Sequence, residues 1–435
     1  MINNIINKIG RQLLGNSIWL LVEKLTKLIV GLYVGVSVAR YLGPENMGTW
    51  NLGLAIFAFF SILSSLGLDY VTPRELLLRK NSQSSTLSNV LIIKLLGSSL
   101  GFVIPVVYVA IANGYENQTS KMILILSTGY FFQIFDVIEY YFQAYLKSSR
   151  TVITRLCAFL VVSVYKLYLI HVSASFIWFV ASSTFEFMIG AILLIGSWYN
   201  FKNKIDLGQP SKQGMLALLK DSLPFSLASI LAVLHFRIDQ VMITELLNET
   251  QNGIYSVAIR IFELILFLLA VIVPSYMPTL SESYTSGKAS FSKTLIQFYT
   301  FVTWLSIFSF LVTFVVAKPI MLLLYGEAFN GSGSVLQLLS FGLYPMFMGI
   351  AISNYLIITN QKKFNLFRSL VGLLFNVIFN FWLIPIWGIQ GAAISSIISN
   401  FLSTFIIVFS ANKHNHLKLF LAAFQIKRLF RANKL

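Results

Sequence analysis

The chain has 435 residues, of which 57% are hydrophobic and only 11% charged, with 38 Phe, one Cys and a formal net charge of +16. That composition excludes a soluble globular domain and defines a polytopic membrane protein. A lone Cys157 excludes an internal disulfide, and no His/Cys cluster has metal-ligand spacing, so neither a metal nor a redox cofactor is expected.

Residues 1–15 place Ile2, Ile5, Ile6, Ile9, Leu13 and Leu14 at helical spacing, with Lys8, Arg11 and Gln12 opposite. This pattern predicts an amphipathic helix lying in the membrane interface. It has neither the continuous apolar core nor the small-residue site of a cleaved signal peptide. Apolar runs long enough for a bilayer core of about 30 Å follow near 16–39, 46–69, 87–112, 121–146, 152–172 and 174–198. A second set lies near 222–245, 253–279, 293–317, 334–358, 366–384 and 388–411. The expected fold is therefore all-α, with about twelve transmembrane helices.

The chain also repeats itself. A shift of 205 positions carries Leu42, Gly48, Trp50, Phe57 and Pro73 onto Leu247, Gly253, Tyr255, Phe262 and Pro278 without a gap. In each copy an apolar helix ends, a Gly-containing polar turn follows, an aromatic opens the next helix and a proline marks its far end. Six spans per half is an even number, so both halves enter the membrane from the same side, as parallel repeats do. The domains expected are an interfacial helix at 1–15, six-helix bundles at 16–206 and 207–411 around a central cavity, and a basic amphipathic tail at 412–435.

On the side of the termini the loops carry Arg74, Arg79, Lys80, Lys147, Arg150, Lys202, Lys204, Lys362, Lys363 and more, against Arg40, Lys121 and Lys318 opposite. The positive-inside rule then makes both termini cytoplasmic. The basic balance is a topology signal, and nucleic acid is not an expected partner. In the tail, Leu417, Phe420, Leu421 and Phe424 share a face while Lys418, Lys427, Arg428 and Arg431 lie elsewhere, which suits the anionic inner surface.

Charges inside the spans need a reason, because each costs about 2.5–3.5 kcal/mol at mid-bilayer by insertion scales. Spans seven and eight form a hairpin turning near residue 250, so residues whose numbers sum to about 500 lie at equal depth. Arg237 then pairs with Glu263 and Asp239 with Arg260, either as a structural clamp or as part of a substrate site. Asp136 and Lys166 lie near one depth across the hairpin of spans four and five. Asp136, Glu139 and Gln143 share one helix face, and Glu23 lies four residues before Lys27. Lys24, Lys27 and Lys94 are read as snorkelling, and His235 as a hydrogen-bonded interior histidine. No G-x-x-x-x-G-K-[ST] loop is present for a nucleotide, and the outer loops are too short to carry a catalytic domain, so an enzyme is not expected.

The two six-span halves, the ARYLGP turn at residues 39–44 with its following Gly48 and Trp50, and the S-S-L-G-L-D end of span two at Ser64 to Asp69 resemble the Wzx-type polysaccharide flippases. These share a superfamily with multidrug and toxic compound extruders and lipid II flippases. The resemblance implies alternating access and transfer of an undecaprenyl-pyrophosphate-linked oligosaccharide to the outer leaflet of a bacterial plasma membrane, with membrane lipids and other glycan-assembly proteins as partners. It further implies that cations on spans one, two, seven and eight, here Lys24, Lys27, Arg237 and Arg260, receive the pyrophosphate. With no ATP site, a proton or sodium gradient is the expected drive, and Asp69, Asp136, Glu139 and Glu186 are the candidate carriers. The alternatives are a cation-coupled multidrug extruder of the same superfamily and, less in keeping with the short outer loops, a membrane glycan polymerase or ligase.

Overall fold

A computed structural model describes residues 2–78, 82–112, 118–201, 207–409 and 416–425. Among the described residues there are no strands, and the chain runs as helices α1 (Ile2–Ser65), α2 (Leu68–Leu78), α3 (Gln83–Ala112), α4 (Gln118–Phe132), α5 (Asp136–Ala144), α6 (Ser148–His171) and α7 (Phe176–Tyr199). It continues through α8 (Lys212–Leu246), α9 (Glu249–Thr285), α10 (Lys288–Tyr325), α11 (Ser332–Leu339), α12 (Leu343–Ile358), α13 (Lys362–Phe405) and α14 (His416–Ala423). Helices are the form these runs must take, since hydrocarbon offers the backbone no other hydrogen-bond partner.

Among the described residues, ten helical segments are long and apolar enough to cross a membrane. Two of them are too long for one crossing: 61 residues at Ile18–Leu78 and 48 at Lys362–Phe409, or about 90 Å and 70 Å at 1.5 Å per residue. Each contains one break. Gly43 takes φ 74° and ψ 173°, and Gly388 takes φ 59° and ψ −140°, backbone that only glycine adopts without strain. Dividing both segments at these glycines gives the twelve spans anticipated from hydropathy. Large apolar side chains stay exposed along them, including Val164 at 66% and Val315 at 73%, as a lipid-facing surface requires.

Packing divides the chain into two units, Met1–Leu42 with Gly53–Val233, and Gly43–Leu52 with Leu234–Leu435. The division falls at Val233, inside α8, whereas the polar link at 199–221 is where the sequence places its boundary. Part of that link is held to the first unit: the Ser88 hydroxyl donates to the Gly208 carbonyl at 2.7 Å and Asn89 Oδ1 accepts from the Ser211 amide at 2.8 Å.

In the first unit small residues bring helices into backbone contact. A Cβ on Gly97 would lie 2.0 Å from the Leu63 carbonyl oxygen, and beside it the hydroxyls of Ser64 and Ser98 share a 2.6 Å hydrogen bond, the pattern expected where apolar burial does not drive helix association. Tyr130 stacks on Phe57 with centroids 4.5 Å apart and donates to the Phe57 carbonyl at 2.9 Å.

The second unit contains the meeting of the two repeats. A Cβ on Gly48 would lie 1.7 Å from the Glu249 carbonyl oxygen, and one on Gly253 would lie 1.8 Å from that of Pro44. Residues 44 and 48 correspond to 249 and 253 under the 205-position shift, so the contact is reciprocal, as two-fold-related segments make it. Asn252 Nδ2 donates to the Gly48 carbonyl at 2.9 Å and fixes the crossing. Next to it Asn248 caps α9, accepting from the Gln251 amide at 2.9 Å.

Helix α14 corrects the reading of the tail. Phe420 does not share the outward face of Leu417, Leu421 and Phe424; it packs inward on Tyr299 and Phe405, with centroids 5.8 and 5.3 Å away. Leu417, Leu421 and Phe424 remain exposed. Lys427, Arg428 and Arg431, and the side chains of residues 1–15, lie outside the described residues.

Candidate functional site

Four charges of the first unit gather on α3, α5 and α6. Asp136 and Glu139, three apart in the first turns of α5, present their carboxylates on one face. Arg155 of α6 spans both, donating through Nη2 to Asp136 and through Nε and Nη2 to Glu139 at 3.1 and 2.9 Å. Gln143, one turn on, donates to Glu139 at 3.3 Å. Lys94 of α3 completes the set: its Nζ lies 3.5 Å from Asp136 Oδ2, 3.3 Å from the Tyr140 hydroxyl and 5.2 Å from the centre of the Tyr140 ring. Two readings are corrected here. Asp136 is held by Lys94 and Arg155 in place of Lys166, and Lys94 does not snorkel but is fully buried. With two cations on two carboxylates the network is internally neutral, the arrangement a buried ion cluster needs. Asp69, in the first turn of α2, lies within the electrostatic field of Lys94 and Asp136. Glu186 of α7 is half-buried and has no ion-pair partner within 4 Å among the described residues.

On α1, Lys27 Nζ is 2.6 Å from Glu23 Oε1, the i, i+4 pair the spacing requires. Lys24 is exposed. On α8 and α9 the equal-depth rule gives one pair correctly: Arg237 Nη1 lies 3.5 Å from Glu263 Oε1, both about one-third exposed. The second predicted pair is corrected, because Asp239 does not meet Arg260. Arg260 is exposed and, among the described residues, has no carboxylate within 4 Å. It stands eleven residues into α9, about 16 Å from the helix start. An uncompensated cation at that depth must face water or a polar ligand.

Asp239 instead occupies a buried polar site of the second unit. Its Oδ1 accepts from Asn380 Nδ2 at 2.7 Å, and its Oδ2 accepts from the Tyr255 hydroxyl at 2.7 Å and from the Ser396 hydroxyl. Asn380 also donates to Asn376 Oδ1 at 3.2 Å, and Asn376 Nδ2 reaches the Ser396 hydroxyl at 3.3 Å. Asp239 is 5% exposed and Asn380 fully buried, yet every partner of the carboxylate is neutral and Asn380 Oδ1 has no hydrogen-bond partner. A buried carboxylate whose partners are all neutral is a place where a small cation can be held. Carboxylate, amide and hydroxyl oxygens are the donor set of a hard cation. A cavity of about 30 Å³, room for a water-sized species, opens beside it, lined by His235, Asp239, Glu263, Ser396 and Asn400 among apolar neighbours. His235 is an interior, hydrogen-bonded histidine as read, its Nε2 3.0 Å from Asn400 Oδ1.

Charge alone could not reveal this site, since four of its five side chains are neutral. The available signal was Asn376 and Asn380, four apart within the apolar run LLFNVIFNF.

This helical fold, with buried ionisable groups in both units, is that of a polytopic membrane protein. Over 95% of this chain and 92% of the other it is similar to the lipid II flippase MurJ in an inward closed conformation, at a TM-score of 0.74 and 14% identity. Over 94% of this chain and 96% of the other it is similar to an inward-facing multidrug resistance MATE family transporter of the MOP superfamily, at a TM-score of 0.72 and 15% identity. The chain belongs to the polysaccharide biosynthesis protein family, whose model matches residues 13–284. It is 23% identical over 372 residues to the capsular polysaccharide biosynthesis protein CapF of Staphylococcus aureus, covering 84% of this chain and 91% of that protein.

Proposed function

We propose that this protein transfers an undecaprenyl-pyrophosphate-linked oligosaccharide from the cytoplasmic to the outer leaflet of a bacterial plasma membrane by alternating access, with both termini cytoplasmic. The observation that carries the reading is Arg260, an exposed and uncompensated cation deep in an apolar helix of a polysaccharide-biosynthesis chain. A pyrophosphate cannot enter hydrocarbon without a replacement for its hydration, and a guanidinium supplies charge-assisted, bidentate hydrogen bonds. Arg237, shared with Glu263, adds a second cation within the same unit; on α1, Lys24 is exposed and Lys27 is shared with Glu23. The polyprenyl tail stays in lipid, so only the head group needs a polar route. Exchange of a proton or sodium ion at Asp239 supplies the drive, a role the sequence reading gave to Asp69, Asp136, Glu139 and Glu186. The ion pairs of Asp136 and Glu139 suit those two better to holding the first unit together.

Deletion of the gene tests this directly. Surface glycan is lost while drug sensitivity is unchanged, and complementation with Arg260→Ala, at normal membrane abundance, restores less than about a tenth of the glycan, since one charged hydrogen-bonding partner is worth about 1.5–3 kcal/mol. Unchanged glycan with heightened sensitivity to cationic drugs contradicts the proposal and identifies an extruder.

A further inference from the structure

A second, larger cavity of the second unit, about 340 Å³, opens where α10 ends and α11 begins, at the far end of α10 from Lys288. That volume falls in the range of small-molecule sites. Lys318, Leu322, Glu327, Asn330, Ser332 and Ser334 are among the residues that line it. Gly326 and Gly331 take φ 76° and 98°, backbone that favours glycine, and so turn the chain from α10 into α11. A Cβ on Gly333 would lie 2.9 Å from Lys318 Cα and 3.3 Å from Lys318 Cγ, which lays the lysine stem across the first turn of α11.

The polar groups of this cavity lack partners among the described residues. Gly331 offers α11 no side-chain cap, and the first amide of the helix to find an acceptor is that of Val335, bonded to the Gly331 carbonyl at 3.1 Å. The amides of Ser332, Gly333 and Ser334 have none. Ser332 is 1% exposed, yet its hydroxyl makes no hydrogen bond within the described residues. Lys318 and Glu327 are exposed, and among the described residues neither has an opposite charge within 4 Å. A lysine set against the positive end of a helix dipole adds charge of the same sign. Such a place favours an anion.

We propose that this cavity binds the head group of a phospholipid that carries both a phosphate and an ammonium, with the phosphate on Lys318, Ser332 and the start of α11 and the ammonium on Glu327. Phosphate oxygens accept from backbone amides at a helix start and from lysine. A ligand with negative charge alone would face Glu327 unfavourably, so the carboxylate selects a head group with a cation of its own. Depth agrees with this assignment: the stretch of α10 from Lys288 to Lys318 covers about 45 Å, the thickness of a bilayer with both head-group layers. Leu322 lines the cavity and is 51% exposed, which gives the acyl chains an apolar way out to the lipid. The site shares no residue with those assigned to the glycolipid and the coupling ion.

The test uses the purified full-length protein, stripped of lipid in detergent, and follows its unfolding temperature as dioleoyl phosphatidylethanolamine, dioleoyl phosphatidylglycerol or inorganic phosphate is added. Phosphatidylethanolamine stabilises the wild type at a lower half-saturating concentration than phosphatidylglycerol. Lys318→Gln raises that concentration for both lipids about fivefold, the upper end for an exposed charge pair, and Glu327→Gln reverses the order of the two. Both side chains are exposed, so their variants keep the fold. A wild type that responds equally to the two lipids overturns the head-group site, as does an unaltered response in Lys318→Gln or an unaltered order in Glu327→Gln. Stabilisation by inorganic phosphate with no response to either lipid assigns the cavity to a free anion and overturns the lipid.

Discussion

Replacing Asp239 with Asn lowers gradient-driven glycan export about a hundredfold and leaves the protein folded. The substitution keeps the shape of the side chain and one accepting oxygen, and the hydroxyls of Tyr255 and Ser396 can rotate toward other acceptors. The structural cost is therefore about 1 kcal/mol, that of one hydrogen bond rearranged. The functional cost is larger because the one formal charge among the five hydrogen-bonded side chains of the site is lost. Removing one charge of a desolvated pair costs about 3 kcal/mol or more, which is about two orders of magnitude in cation occupancy. Thermal unfolding in increasing NaCl, with ionic strength held constant by choline chloride, and at stepped pH separates the two coupling ions. The wild type is stabilised by whichever cation binds, and the variant by neither. Export at the wild-type rate with unaltered cation stabilisation would remove Asp239 from the coupling mechanism.

Replacing Arg155 with Met destabilises the first unit by about 3 kcal/mol, the low end of the cost of stripping one partner from a buried ion cluster, since Arg155 and its two carboxylates are about one-fifth exposed. Lys94 still reaches Asp136, but the nearest cation to Glu139 is gone and the network carries an excess negative charge. Arg155→Met with Glu139→Gln recovers most of the loss, because the Lys94–Asp136 pair is left intact and neutral. Such recovery is the coupling that a double-mutant cycle detects. Membrane abundance and unfolding temperature in detergent measure both variants. If both unfold at the wild-type temperature but fail to export, the network belongs to the transport path and is not a clamp.

These two sites also show what the sequence could convey. The spans were legible because hydrocarbon demands long apolar helices, and the repeat because Gly48 and Gly253 each permit a backbone approach that any Cβ would prevent. Depth was legible too: the hairpin rule found Arg237 and Glu263. Direction around the helix was not. Arg237 and Asp239 are two residues apart, about 200° around α8, so both cannot take partners on one face of α9, and Asp239 turns to Asn380 and Ser396 on α13. Lys94 and Arg155 stand near helix ends in the sequence, where basic side chains commonly snorkel, and only tertiary packing reveals that α5 brings two carboxylates to meet them.

The central claim is tested most directly by reconstituting the purified protein in vesicles with a fluorescently labelled undecaprenyl-pyrophosphate oligosaccharide and following its protection from a membrane-impermeant quencher. Under an imposed proton or sodium gradient, the glycolipid changes leaflet in vesicles with the wild-type protein and stays in place in vesicles with Arg260→Ala. Leaflet exchange no faster than in protein-free vesicles, under either gradient, would contradict the account.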